Sequence, residues 1–199
     1  MSSDTPAETV ARNVQATAHE LLTRLQGLLA HGRGRDVKAR LSRRTAPDNP
    51  ELWVALDLTG IHGAEGIDED THIRAATAVT AAAQLWATTD LPHRATTTPR
   101  PTGLGALLAP VIAARRADEQ DVARLLRAHT LNDALPHLRP LLVHAHREGL
   151  ALDFGLLARD LYTWQTPGGP HRVGQIWALS LTSTRARAAR AARAQTTNP

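Results

Sequence analysis

The segment that best fits a defined chemistry lies at residues 33–44, RGRDVKARLSRR. It carries six basic residues and one acidic residue, which gives a net charge of +5 in twelve positions. Five of the six are arginines, whose planar guanidinium groups bind a phosphate through two parallel hydrogen bonds. Such a cluster is typical of a surface that binds a polyanion, and the alternative is a solvated helix face. We predict phosphate contacts first at Lys38, Arg40, Arg43 and Arg44, and second at Arg33 and Arg35 in the preceding loop.

The scarcity of aromatic residues favours contacts to phosphates over stacking on bases. Phe, Trp and Tyr make up 3% of the chain, whereas proteins that bind single strands by stacking expose aromatic rings. All the tryptophans fall on apolar faces of predicted helices, which is typical of core residues. We therefore expect weak base preference and a steep salt dependence of binding. The tryptophans are Trp53, Trp86, Trp164 and Trp177.

Other site chemistries find little support in the sequence. The chain has no cysteine, which excludes disulfides, thiolate metal sites and cysteine nucleophiles. His144 and His146 would lie about 200° apart on a helix, so the two imidazoles could not share a metal ion. The acidic run at residues 68–70 lacks the later oxygen ligands of a calcium loop. We expect no metal, no cofactor and no catalytic site.

Nothing in the chain predicts an association with membranes. No apolar run approaches the ~20 residues that a membrane span requires. The first ten residues, MSSDTPAETV, lack the basic and apolar regions of a signal peptide. We expect a soluble, cytoplasmic protein.

The hydrophobic pattern predicts an all-α fold, because apolar residues recur with the helix period and no run is typical of a strand. Residues that favour helix N-caps or the first turn mark most of the starts: Thr5, Asp36, Asp70 or Thr71, Asp118, Asn132 or Asp133, and Asp153. Prolines at 136 and 140 are the weak point of one helix, which either starts at the first or bends at the second. The pattern predicts about nine helices, over about 5–29, 36–44, 50–58, 70–87, 104–114, 118–128, 132–149, 153–164 and from 170 onward.

A stretch rich in proline and threonine at residues 88–102 predicts a division of the chain. Residues 1–102 would form an N-terminal helical domain that includes the basic segment and the linker, and residues 103–199 a C-terminal helical bundle. The bundle ends in an arginine-rich tail with no acidic residue, for which disorder is the favoured interpretation. The tail arginines are Arg185, Arg187, Arg190 and Arg193.

Motifs along the chain resemble one known family. The C-terminal half contains L-x-x-L-R at Leu135–Arg139, a helix stop at Gly149, L-D-F-x-x-L-A-x-D-L-x-x-W at Leu152–Trp164, and V-x-x-x-W-A at Val173–Ala178. Upstream lie A-R-L-S-R-R at Ala39–Arg44 and a small-residue helix at Gly103–Leu107. In this order, the motifs resemble the CasB family, the small subunit of the type I-E CRISPR Cascade complex. The resemblance covers roughly 35–58 and 103–178. The sequence departs from the family at residues 179–181, where Leu-Ser-Leu stands in place of aromatic residues.

The resemblance implies an all-α, non-catalytic protein with N- and C-terminal helical domains. It implies two copies that contact each other, the backbone subunits and the large subunit of the complex. Their basic surface would support the guide RNA–target DNA duplex and the displaced non-target strand, while base pairing supplies specificity. Arg139 and Arg172 fall within matched motifs and are further candidates for nucleic-acid contact; the alternative for each is an ion pair within the bundle.

Two other functions remain open at this point. The chain could be a free-standing helical DNA-binding regulator, which would need a helix that reads base edges. It could also be an all-α adaptor whose charges serve protein contacts only. In that case the acidic segment 51–90, with a net charge of −6, would meet the basic segment or a partner protein.

Overall fold

Eight α-helices account for most of the residues that the structure describes. The computed structural model describes residues 6–32, 34–43, 68–95 and 103–196. Within them no strand occurs, and one isolated bridge joins His93 to Leu152. The predicted all-α fold is confirmed, and the helix expected near 50–58 lies outside the described residues. The helices are α1 (Pro6–Ala30), α2 (Arg35–Arg43), α3 (Glu69–Thr89), α4 (Leu104–Ala113), α5 (Glu119–Leu126), α6 (Leu131–Arg147), α7 (Phe154–Trp164) and α8 (Gly169–Thr196).

Side-chain caps set several of the helix starts. Asp118 and Asp153 cap α5 and α7 as predicted. The expected cap of α3 was wrong by two residues, because Asp68 accepts the backbone N–H of Thr71 at 2.7 Å. The backbone N–H and the hydroxyl of Thr71 both donate to the Asp68 carboxylate. These two hydrogen bonds hold the pKa of this carboxyl below its usual value. The α2 helix begins at Arg35, so Asp36 lies in its first turn and is not its cap.

The α6 helix contains both prolines, so the alternative in which it starts at Pro136 is wrong, and its N-cap is neither Asn132 nor Asp133. Thr130 is the N-cap, in a capping box with Asp133. Pro136 and Pro140 are exposed, so each missing N–H and each ring lies on the solvent side of the helix. The opposite face is buried and holds the helix in place, through Leu131, Ala134, Leu138, Leu141, Leu142 and Ala145.

The core is built around α7, which packs against α1, α3 and α8. Phe154 and Trp164 at its two ends are almost completely buried. Trp164 lies with its ring centroid 5.1 Å from that of Trp177 on α8. Trp86 is also buried. The prediction of core positions is confirmed for these three tryptophans, and Trp53 lies outside the described residues.

A buried histidine fastens the segment after α3 to this core. The Nδ1 atom of His93 accepts the backbone N–H of Phe154 at 3.2 Å, so the hydrogen of the neutral ring sits on Nε2. That Nε2 atom lies 2.9 Å from Nδ1 of His19 on α1. Burial lowers the pKa of His93, which favours this neutral form. Residues 91–95 therefore link α1 to the start of α7.

Gly105 permits the close contact of α4 with α8. A Cβ atom at this position would lie 2.1 Å from the backbone oxygen of Trp177 and 2.9 Å from Cβ of Ser180. Because the nearest atom belongs to the backbone, the two helices would have to move apart.

We predict that Gly105→Ala lowers the free energy of unfolding by about 2 kcal/mol or more, through overpacking of this helix pair. Gly27→Ala is the matched control, because Gly27 lies in α1 with nothing within 4 Å of its added Cβ. The control should raise stability by ~0.5–1 kcal/mol through helix propensity. Urea unfolding followed by circular dichroism measures both. Equal effects of the two substitutions would contradict the packing described for α4 and α8.

Candidate nucleic-acid interface

The basic helix α2 is attached to the C-terminal end of α3. Its Leu41 side chain is fully buried, and the hydroxyl of Ser42 donates to the backbone oxygen of Ala87 at 3.2 Å. The apolar side of this short helix therefore packs inward, as the sequence predicts for Leu41. The arginines of α2 are consequently carried on a fixed element.

Lys38 is held within the molecule. Its ammonium group forms an ion pair with the carboxylate of Asp90 and lies 5.5 Å from the ring centroid of Trp86. Asp90 ends α3 in the left-handed conformation, with φ 55°. The structure thus gives Lys38, predicted as a leading phosphate contact, a role in docking α2 onto α3. Pairing with an acid of the same chain removes much of its attraction for an external anion.

Arg35 and Arg40 are the described arginine side chains of α2 that face solvent. The Nε atom of Arg40 donates to the backbone oxygen of Asp36 at 3.4 Å. Across the described parts of the chain, no carboxylate forms an ion pair with either guanidinium. Both charges therefore remain available to a ligand. Arg43 closes α2, whereas Arg33 and Arg44 lie outside the described residues.

Arg139 and Arg172 lie on other helices. Arg139 is exposed on α6, and Arg172 is exposed in the first turn of α8. Neither forms an ion pair with an acid in the parts of the chain that are described, which argues against the intramolecular alternative. The described candidate arginines thus occupy three different helices, α2, α6 and α8.

Arg172 borders a cavity that the sequence did not predict. The cavity has a volume of about 410 Å³ and lies between α1, α7 and α8. Arg12 and Arg159 also line it, together with Glu8 and Asp160. No spacing in the sequence links Arg12 to Arg159, because only the packing of α1 on α7 brings them together. The cavity therefore combines both signs of charge.

Asp160 joins α7 to α8 beneath this cavity. The indole Nε1–H of Trp177 donates to Oδ2 of Asp160 at 2.6 Å. Burial raises the pKa of the Asp160 carboxyl to about 6, and the hydrogen bond from Trp177 opposes this rise. Both residues belong to motifs that carry the family resemblance. That part of the resemblance therefore includes a hydrogen bond within the core.

The described residues form neither a metal-binding cluster nor a membrane span. No group of three or more His, Asp or Glu side chains in those ranges could hold a metal ion. Among the same residues, no helix is both long enough and apolar enough to cross a bilayer.

Comparison with known proteins identifies a family. The family model for CRISPR-associated protein Cse2 matches residues 37–180. The crystal structure of CasB from Thermobifida fusca is 24% identical, with a TM-score of 0.65, and the match covers 86% of this chain and 97% of that chain. A chain of a CRISPR RNA-guided surveillance complex is 22% identical, with a TM-score of 0.66, covering 90% of this chain and 99% of that chain. No curated protein matches. At these identities the two structures show the fold, and the family model confirms the predicted resemblance.

The buried Asp160 carboxyl predicts a specific pH dependence of stability. Its pKa is 3.8 in the unfolded chain and about 6 in the fold, so the folded state binds more protons between these values. Stability should therefore fall as the pH rises from about 4 to about 6, by an amount on the order of 3 kcal/mol.

Asp160→Asn retains an oxygen for Trp177 and removes this titration. The variant should gain stability relative to the unaltered chain as the pH rises through this window, which urea unfolding at pH 4, 5, 6 and 7 would measure. Taking the difference between the two proteins removes the opposite contribution of His93. A difference that is constant with pH would contradict the burial of this carboxyl.

Proposed function

Because the chain belongs to the CRISPR-associated protein Cse2 family, we propose that it is a non-catalytic, nucleic-acid-binding small subunit of the type I-E Cascade surveillance complex. In this role it stabilises the guide RNA–target DNA duplex and the displaced non-target strand through contacts of arginines with phosphates. The match of the family model over residues 37–180 is the observation that carries the proposal. It begins within α2 and extends into α8.

The chemistry of the exposed arginines supports a contact to phosphates. Arg35 and Arg40 present their guanidinium groups on a helix that is fixed to the core by Leu41 and Lys38. A guanidinium group binds the non-bridging oxygens of a phosphate through two hydrogen bonds, whatever base is attached. Fixed arginines therefore stabilise a bound strand without selecting its sequence.

The burial of the aromatic rings also supports binding through phosphates and not through stacking on bases. Trp86, Trp164 and Trp177 are buried, so none of the three offers a platform on which a base could stack. Base pairing with the guide would supply specificity, and the protein would supply electrostatic stabilisation of the strands. Arg139 and Arg172 would extend this contact to α6 and α8. Arg33, Arg43 and Arg44 would add further phosphate contacts in the basic segment 33–44.

The partners follow from membership of a multisubunit complex. We propose guide RNA, target and non-target DNA, the backbone and large subunits, and a second copy of this chain. The match to a chain of a CRISPR RNA-guided surveillance complex supports this set. We propose the cytoplasm as the location.

One observation favours the adaptor function as a second candidate. The ion pair of Lys38 with Asp90 joins the basic segment to the acidic one within the chain. Arg35 and Arg40 have no carboxylate partner in the described residues, so an acidic partner protein could bind them. If those arginines served protein contacts alone, their loss would weaken assembly of the complex and not its retention of DNA.

The double variant Arg35→Gln and Arg40→Gln tests the proposed function in the assembled complex. We expect at least a tenfold weaker affinity for target DNA near 0.15 M salt, because two charge-assisted contacts are lost. The slope of log affinity against log salt should fall by about 1.5. Filter binding at several salt concentrations measures both quantities.

Arg115→Gln with Arg147→Gln provides the matched control, because both are exposed arginines on other parts of the surface and the change of charge is the same. The control complex should retain most of its affinity. Unchanged affinity and slope in the α2 variant would refute the role of α2. Reduced assembly with normal DNA retention by the complexes that do form would support the adaptor.

A further inference from the structure

The last helix continues far beyond the core of the protein. Its last buried residue is Ser180, and the described side chains from Thr182 onward are exposed, except for the half-buried Thr184. Residues 182–196, here called the α8 arm, therefore project for about 20 Å. The family match ends at residue 180, so the arm lies outside the part of the chain that the family accounts for.

The composition of the arm explains how it stays helical without packing. Residues 185–194 consist of four arginines and six alanines, which are among the strongest helix formers. The arm also continues a helix that is anchored through Val173 and Trp177, so no new helix has to be nucleated. The expectation that the arginine-rich tail is disordered is therefore wrong over residues 185–196.

Arg185 at the base of the arm is paired with an acid, whereas Arg187 and Arg190 form no ion pair within the described residues. Arg185 forms an ion pair with Glu119 on α5 at 2.7 Å, which fixes where the arm leaves the core. Arg187 donates to the hydroxyl of Thr184 at 3.1 Å, a neutral partner. Arg190 is exposed, and across the described residues no carboxylate forms an ion pair with Arg187 or Arg190. Because arginines three residues apart repel each other, an external polyanion would stabilise this helix.

We propose that the α8 arm binds the sugar–phosphate backbone of duplex DNA along the major groove. An α-helix with its side chains is about 10–12 Å across, and the major groove of B-DNA is ~12 Å wide. The alanines keep this helix slim. Arg187 and Arg190 lie ~4.5 Å apart along the helix axis and differ by ~60° in direction, so the two guanidinium groups can reach successive phosphates.

Other nucleic acids fit the arm less well. Residues 181–199 contain no aromatic side chain, so the arm cannot hold a single strand by stacking. The major groove of an RNA duplex is too narrow for a helix. The arm also lacks asparagine and carries one glutamine, at its end, among the described residues. The arm therefore offers little for reading adenine edges, and arginines that bind phosphates carry no sequence information.

This inference deepens the proposed function, on which it rests, by adding a second DNA contact on a different surface. The α2 helix packs against α3, whereas α8 packs against α4, α5 and α7. Two separate groups of phosphate contacts should contribute independently to affinity. Removing one group of contacts should leave the contribution of the other group to the affinity measurable.

The test compares full-length variants for binding to a 30-base-pair duplex and to a single strand of the same length, by fluorescence anisotropy at 50–200 mM salt. Arg187→Gln with Arg190→Gln should lower duplex affinity about tenfold near 100 mM salt. It should reduce the salt slope by about 2, because two phosphate contacts disappear. Single-strand binding should change less than twofold. Both substitutions are at exposed positions, so the core should stay intact. Circular dichroism would check that the variant is folded.

Two controls make the result specific. Arg115→Gln with Arg147→Gln removes the same charge elsewhere and should change duplex affinity less than twofold. Ala188→Pro keeps every charge but interrupts the helix, and it should weaken duplex binding at least threefold. An equal loss in the charge control, or duplex binding unchanged by Ala188→Pro, would overturn the proposed groove contact.

Three further outcomes would refute the arm as a site for duplex DNA. These are an equal loss for the single strand, an unchanged salt slope, and no binding of duplex by the unaltered chain at 50 mM salt. A loss of subunit assembly with unchanged DNA affinity would identify an acidic protein partner instead. If the α2 variant weakens target binding in the complex and the arm variant does not, the arm proposal fails and the proposed function stands.

Discussion

The packing of α7 in the centre of the molecule is the constraint on which the other surfaces depend. Its apolar side chains are buried against three helices, and its one buried acid, Asp160, meets the indole N–H of Trp177. A carboxyl group in a core needs such a donor, because its transfer from water is otherwise unfavourable. The hydrogen bond fixes α8 against α7, while α3, packed on another side of α7, carries α2. The exposed arginines are thus positioned by a core to which they contribute almost nothing.

This arrangement separates the charged groups that hold the fold together from the exposed arginines that we propose as ligand contacts. Lys38 pairs with Asp90, and Arg185 with Glu119. Each of these cations fastens a basic element to the body of the protein. The arginines next to them, Arg40 on α2 and Arg187 on the arm, have no carboxylate partner in the described residues. One cation per element therefore fastens it to the core, and the neighbouring arginines stay exposed.

The fold could be predicted from the sequence because most of its signals are local. The helix period and the caps at Asp118 and Asp153 act over a few residues, and the structure confirms both. Local signals misplaced the starts of α2, α3 and α6 by up to three residues, whereas the larger errors arose where distant residues decide the outcome. Asp90 lies 52 positions after Lys38, and no local pattern shows that they meet. The helical arm was mistaken for a disordered tail because residues 185–194 carry four arginines and no apolar side chain larger than alanine, whereas its anchor at Trp177 and Glu119 is a tertiary contact. The grouping of Arg12, Arg159 and Arg172 around one cavity likewise depends on how α1 packs on α7.

The central claim is that this protein stabilises nucleic acid through phosphates and without reading bases. The most direct test measures dissociation of target DNA from the assembled complex, programmed with two guides of unrelated sequence, over a range of salt. The comparison is between the unaltered subunit and one in which Arg35, Arg40, Arg139 and Arg172 are replaced by glutamine. We expect faster dissociation and a shallower salt dependence for the substituted subunit, to the same extent for both targets. An effect confined to one target, or dissociation with an unchanged salt dependence, would contradict it.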